Sequence, residues 1–323
     1  MSDFPIFKEL SSFEDKDDLY ITAMGFEDRS LGSTKDLLDN NYKTNKAIVI
    51  RYNNYVKENE RHRKDLEKIW DKITNDYSFV EFDTAARSRF VDNFIANNPS
   101  KPLKSVTINI SSLITFPLIW MINFLFDNAE KVRIVYTEPE GYGNQLEDSH
   151  SFSSGVKEIF TMEEFSGAQL PGYLSLLVIF LGYDFIRARG IYDQIQPSKK
   201  IGIFAKPNTP KLYDLFPRME SEHKKSFESS DEVKTFSIFD LEGLIKGLTQ
   251  IRETSIETSN ILLALNGTKL HHIGALLFAK KYKDIQLLLS SPLEYYPHSY
   301  SFGKRRTFEI NFELGWITNF LKT

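Results

Sequence analysis

The 323-residue chain has no cysteine. That absence removes disulfides, thiol nucleophiles and zinc–thiolate sites together, and it suits a reducing compartment, so a cytoplasmic location is expected. Long hydrophobic runs are also missing. The most apolar stretches, 113–126 and 174–181, fall short of the ~20 residues a membrane span needs, and Pro117 interrupts the first. The opening residues, MSDFPIFKEL, carry neither the basic nor the apolar region of a signal peptide, and no membrane partner is expected. Neither sign of charge is in large excess. With 40 Lys and Arg against 44 Asp and Glu, the net charge of -4 argues against bulk nucleic-acid binding and leaves room only for a local basic patch.

Familiar chemical signatures are scarce as well. There is no GxGxxG, so no classical dinucleotide site and no cofactor is expected. HExxH, an EF-hand loop and a GxSxG elbow are missing too. His271 and His272 are adjacent, so on a helix they point in different directions and cannot form an i,i+4 metal pair. A metal would need carboxylates alone, no cluster stands out for one, and none is expected. Aromatics are plentiful, with 26 Phe and 15 Tyr, which indicates a core rich in rings.

What the chain does contain is one pattern written twice, at offsets of 153 to 157 residues. Leu19–Met24 followed by Gly25, Phe26 and Glu27 matches Leu176–Leu181 followed by Gly182, Tyr183 and Asp184. AIVIRYNN matches IGIFAKPN, with Arg51 opposite Lys206. Phe82-Asp83 matches Phe239-Asp240, each a strand end with an Asp at the N-cap of the next helix. VTINISSLITFPLIWMINFLF matches NILLALNGTKLHHIGALLFAKKY: strand, small polar turn, apolar helix. VRIVYTEPEGYG matches IQLLLSSPLEYYP, pairing Pro139 with Pro292 and Tyr142 with Tyr295. Alternating apolar strands and helices predict α/β architecture: two duplicated Rossmann-like units with mainly parallel sheets, related by pseudo-two-fold symmetry. The expected boundaries are 1–143 for the first unit and 144–171 for a polar crossover. The second unit is then 172–323, ending in a Tyr/Lys/Arg hairpin. Two unrelated α/β segments with generic patterning remain the alternative.

Ligands of open parallel sheets bind beyond the carboxyl ends of the strands, and the polar clusters of both copies fall there. Gly25 and Gly182 serve either a tight turn or close backbone approach to a ligand. Phe26 and Tyr183 stand beside them. Glu27, Asp28 and Asp184 either contact a ligand or pair with Arg29 and Arg187 to fix the loop. The sharpest feature is the turn Asn266-Gly267-Thr268-Lys269, where helix amides, a hydroxyl and a cation suit a phosphate; a simple N-cap is the plainer reading. Ser111 and Ser112 form the equivalent turn of the first copy, without a cation. Arg51 and Lys206 complete the two edges. The tail brings Tyr295, Tyr296, His298, Ser299, Ser301, Gly303, Lys304, Arg305 and Arg306 together, as a base-stacking and phosphate-binding surface or as an ordinary charged hairpin.

The LALNGTK strand-turn-helix resembles the ligand-sensing CARF-like domains of prokaryotic antiviral systems. The resemblance implies Asn266, Gly267, Thr268 and Lys269 as nucleotide contacts. Such domains pair with an effector and build the site by homodimerisation, whereas here two copies share one chain. Three readings follow. One is a sensor or regulatory protein for a nucleotide-like or phosphorylated small molecule, working with another protein of a defence complex. Another is a hydrolase acting on a phosphodiester or N-glycosidic bond, with Glu27, Asp28, Asp184 and Glu138 as acid/base groups. The last is a structural adaptor subunit.

Overall fold

A computed structural model describes residues 3–98, 102–142, 152–208, 216–228, 231–297 and 300–322. His298 and Ser299 lie outside the described residues, as do residues 143–151 of the crossover. The chain divides into two compact units, Met1–Asn144 with Pro297–Thr323, and Gln145–Tyr296.

The first unit opens with β1 (Lys8–Glu9), β2 (Asp17–Ala23), α1 (Asp28–Asp39), β3 (Thr44–Tyr52), α2 (Val56–Asn59), α3 (Arg63–Ile73) and β4 (Tyr77–Phe82). It continues through α4 (Arg87–Asn97), β5 (Leu103–Asn109), α5 (Thr115–Asn128), β6 (Ala129–Thr137) and the two-residue β7 (Gly141–Tyr142). The second unit runs through β8 (Ser153–Ser154), β9 (Glu158–Thr161), β10 (Leu174–Leu181), α6 (Phe185–Ile195), β11 (Lys199–Lys206) and α7 (Phe216–Lys224). Then come β12 (Glu232–Ser237), α8 (Leu241–Ser255), β13 (Ser259–Ala264), α9 (Lys269–Lys281), β14 (Gln286–Ser291) and β15 (Glu294–Tyr295). The chain returns to the first unit with β16 (Ser301–Phe302), β17 (Thr307–Glu313) and α10 (Leu314–Lys322).

The sheets are ordered β1-β17-β6-β5-β2-β3-β4 and β12-β11-β10-β13-β14-β9. Counting only the parallel strands in order of appearance, both read 3-2-1-4-5, the doubly wound order. In both, an antiparallel strand lies beyond the fifth: β17 on β6, and β9 on β14. The expected α/β class with mainly parallel sheets is therefore present. Strands such as Leu176–Leu181 are buried along their whole length because helices cover both faces.

The expected boundaries need correction. Residues 297–323 belong to the first unit, not the second. Glu158–Thr161, placed in the crossover, is an edge strand of the second sheet. Among the described residues the strands flanking Gly303 do not form the expected hairpin: β16 pairs with β7, and β17 pairs with β6. Strand pairing runs through backbone groups that carry no sequence address, so proximity along the chain misplaced these segments.

Local chemistry explains the elements. Pro117 does not break its apolar run, because it falls in the first turn of α5, where amides have no intrahelical partner. That helix is apolar almost all round and correspondingly buried. Asp240 caps α8 by accepting the Gly243 N–H at 2.8 Å, as its spacing predicts. Asp83 does not cap α4: it accepts the Ala85 N–H in a preceding turn, and Ala86 holds the cap position. The many rings form edge-to-face chains, including Phe82–Phe90, which packs α4 against β4, and Phe94–Trp120, which packs α4 against α5.

Candidate functional site

In an open sheet of this order, the connections from the first strand and from the fourth leave on opposite faces, which opens a crevice at their carboxyl ends. In the first unit that point lies between β2 and β5, and the protein fills it. A Cβ on Gly25 would come within 2.7 Å of the Ser112 Cβ, so the glycine is required by close packing of that serine. Ser112 Oγ donates to the Ala23 carbonyl at 2.8 Å. The Tyr52 hydroxyl donates to the Ser112 carbonyl at 3.0 Å and accepts the Ile114 N–H at 3.1 Å. Ser111 Oγ accepts the Thr137 N–H at 3.0 Å. Both serines thus stitch the strand ends together.

The carboxylates beside this point are committed too. Glu27 and Arg29, 6% and 5% exposed, form an ion pair, and Ser301 Oγ donates to the same Glu27 oxygen. Arg29 also donates to the Thr137 carbonyl at 3.2 Å and to the Tyr136 hydroxyl at 3.4 Å. Burial works against the Arg29 charge, but Glu27 and Tyr136 outweigh it and its pKa stands raised. Asp28 pairs with Arg61 and accepts the Gly303 N–H at 2.7 Å. Glu138, almost fully buried, faces Arg306 at 3.9 Å. Phe26 packs edge-to-face on Tyr300, and its N–H donates to Asn59 Oδ1 at 3.1 Å.

Arg51 turns away from the β2 end. It pairs with Glu60, approaches Glu81 at 3.8 Å and lies over the Phe79 ring. Lys304 pairs with Asp36 of α1, while the Arg305 N–H donates to the Glu138 carbonyl at 2.9 Å. Tyr296 belongs to the other unit, where its N–H donates to the Phe152 carbonyl at 3.0 Å. The basic tail is a clasp across the first unit. Lys304 and Arg306 both answer acids of that unit.

The second unit is built differently at the same topological point, between β10 and β13. Here Gly182 faces Gly267, whose Cα would lie 3.4 Å from a Cβ on Gly182, and no serine fills the space between them. Gly267 itself sits on Phe180, 2.9 Å from that residue's Cβ if it carried a side chain. Thr268 caps α9, its Oγ accepting the His271 N–H at 3.3 Å, and Lys269 is the helix's first residue. So the plain N-cap reading of Thr268 holds, and it places Lys269 in the first turn of the helix.

Asp184 and Arg187 form an ion pair at 3.1 Å, and Ser153 Oγ donates to the same Asp184 oxygen at 2.5 Å. Arg187 Nε also donates to Asn266 Oδ1 at 2.6 Å, and Asn266 Nδ2 donates to the Asp184 carbonyl at 3.1 Å. Arginine, amide and carboxylate thereby hold the turn rigid against α6. Tyr183, half-buried, lies near Phe152, their rings 5.9 Å apart. Lys206, at the end of β11, is exposed.

Sequence reasoning passed over the histidines. His271 and His272 are both fully buried on α9. His271 Nε2 bonds the Ser237 carbonyl at 3.1 Å, but neither ring nitrogen of His272 has a hydrogen-bond partner. An unmet buried polar group costs about 1–3 kcal/mol. Burial, then the fields of Arg187, His271 and Lys269, pushes the His272 pKa down to about 3. Burial pushes His271 down to about 4, against its bond to Ser237. His223, whose Nε2 bonds the Gly182 carbonyl at 2.7 Å, is also lowered by burial.

A pH dependence follows. These imidazoles stay neutral in the folded chain and take protons on unfolding, near pH 6.5. Their contribution is complete above that value and is lost as pH falls, by up to about 1.4 kcal/mol per pH unit for each histidine. Urea midpoints measured from pH 7 to 5 should fall accordingly, and His271→Phe should flatten the slope. An unchanged slope in that variant would refute the assignment.

Among the described residues, no group of three or more His, Asp or Glu could hold a metal ion, and no helix is long and apolar enough to cross a membrane. No family model matches the chain, and no curated protein matches it. Among solved structures, the cytoplasmic domain of a prokaryotic cation chloride cotransporter matches 86% of this chain and 96% of its own, at 10% identity and a TM-score of 0.26, a likeness too slight to bear on function.

Proposed function

We propose that the carboxyl edge of the second unit binds a phosphorylated, nucleotide-like small molecule, and that the protein serves as a sensor or regulatory component of a prokaryotic antiviral system. One observation carries the reading. In the first unit Ser112 packs against the strand end at Gly25, whereas in the second Gly182 meets the backbone of the Asn266-Gly267 turn, at the start of a 13-residue helix with Lys269 at its first position. Helix amides and dipole favour an anion there, and the lysine adds a full charge. Arg187 lends its field from the side while Asp184 and Asn266 hold it still.

The units also read as products of duplication. Each has a glycine ending the first strand, then an acid paired with an arginine and bonded by a serine from a two-residue strand. In each, that serine lies opposite a tyrosine: Ser301 faces Tyr142, and Ser153 faces Tyr295. On this reading the closing strands have been exchanged, since β8–β9 follow the first copy in sequence yet complete the second sheet, while β16–β17 do the reverse.

Hydrolysis is the weaker reading. Glu27, Asp28, Asp184 and Glu138 all face arginines, so each is engaged in an ion pair that fixes the fold. Calorimetry with ATP, AMP and cyclic oligoadenylates tests binding directly. Lys269→Ala should weaken the best binder about tenfold, the value of one charge-assisted contact. Failure of every probe to bind wild type, or equal binding by the variant, would favour the adaptor reading instead.

A further inference from the structure

We propose that His272 reads the nucleoside part of the ligand, exchanging hydrogen bonds with a sugar hydroxyl or base amino group while the start of α9 holds the phosphate. The inference rests on the binding reading above and deepens it. Its starting point is the contrast between two adjacent histidines on one helix. His271 has found the Ser237 carbonyl, whereas His272 is 3% exposed and neither of its nitrogens has a partner. A core that needed only volume at this position would be better served by a phenyl ring. Two unmet hydrogen-bonding atoms in one buried ring mark a group built for a partner.

The position of the ring supplies the second argument. The His272 N–H donates to the Thr268 carbonyl at 3.1 Å, one turn inside the cap, so His272 shares a helix face with Thr268 and Lys269. Its ring lies 6.5 Å from that of Phe180, the residue on which the Gly267 turn rests. Arg187 and Lys269 both act on it electrostatically. The Gly267 turn, the helix start, two cations and the unsatisfied ring are therefore neighbours.

Chemistry then narrows the partner. An imidazole held neutral has one N–H and one lone pair. The lone pair repels phosphate oxygen, which has nothing to donate and is better served by amides and Lys269. A hydroxyl or amino group, able to donate to one nitrogen, satisfies what phosphate cannot. The site should thus prefer a nucleotide to inorganic phosphate.

The test is calorimetry on the full chain with inorganic phosphate, ribose 5-phosphate and the four common nucleoside monophosphates. Wild type should bind its best organic phosphate at least about tenfold more tightly than inorganic phosphate, and His272→Phe should lose that margin while binding inorganic phosphate unchanged. Melting of His272→Phe at or above the wild-type temperature would show that the variant is folded. Should it fail to fold, ring nitrogen chemical shifts of His272 in the wild type replace it: a shift with the organic ligand and none with phosphate is expected. A retained preference in His272→Phe, or His272 shifts indifferent to the organic ligand, overturns this inference alone. If no probe binds wild type, the binding reading falls and takes this one with it.

Discussion

Deleting residues 297–323 is expected to unfold the first unit and leave the second standing. The deleted segment supplies β17, which pairs with β6 over seven residues and separates it from β1. Phe308, Ile310, Phe312 and Ile317 are all buried, and each contributes about 1.5–3 kcal/mol by leaving water. Together that rivals the 5–15 kcal/mol by which a whole domain is stable. Polar ties go with them: Glu309 to Arg133 at 3.3 Å, Thr307 to Asp36 at 2.6 Å and Ser301 to Glu27. Gln145–Tyr296 keeps every strand of its own sheet. Calorimetric melting of the truncated chain should therefore retain one transition and lose another, and proteolysis should digest residues 1–144 first. Intact melting of both units would show that the tail is an accessory.

The parallel strands were legible because a strand buried on both faces must be apolar throughout, and VIF or IVI runs have few other uses. The switch-point glycines were legible as turns, but not their reason. Gly25 answers to Ser112, more than eighty residues away, and nothing in GFEDRS announces it. The antiparallel strand β17 was misplaced since TFEINFE would suit either sheet. Arg51 matches Lys206 in sequence, but nothing in AIVIRYNN announces its partner Glu60, which follows α2. His272 was invisible for a different reason. Within LHHIGALLF both histidines look alike, and only the fold decides that the Ser237 carbonyl falls beside one of them.

Arg29→Ala should be the most damaging single substitution near either edge, costing about 3–5 kcal/mol, because it strands Glu27 in the core without its counterion. Ser301 still donates to the carboxylate, but the Thr137 carbonyl and Tyr136 hydroxyl lose a donor as well. Replacing both partners with apolar residues of similar volume, Glu27→Leu with Arg29→Met, should cost far less than Arg29→Ala alone. No charge is left stranded, so the cycle should be strongly non-additive. Arg187→Ala should cost less, since Arg187 is more exposed than Arg29. Urea denaturation of the single and double variants measures both. Additive losses in the Glu27/Arg29 cycle would mean that the arginine matters for its packed stem and not for its charge.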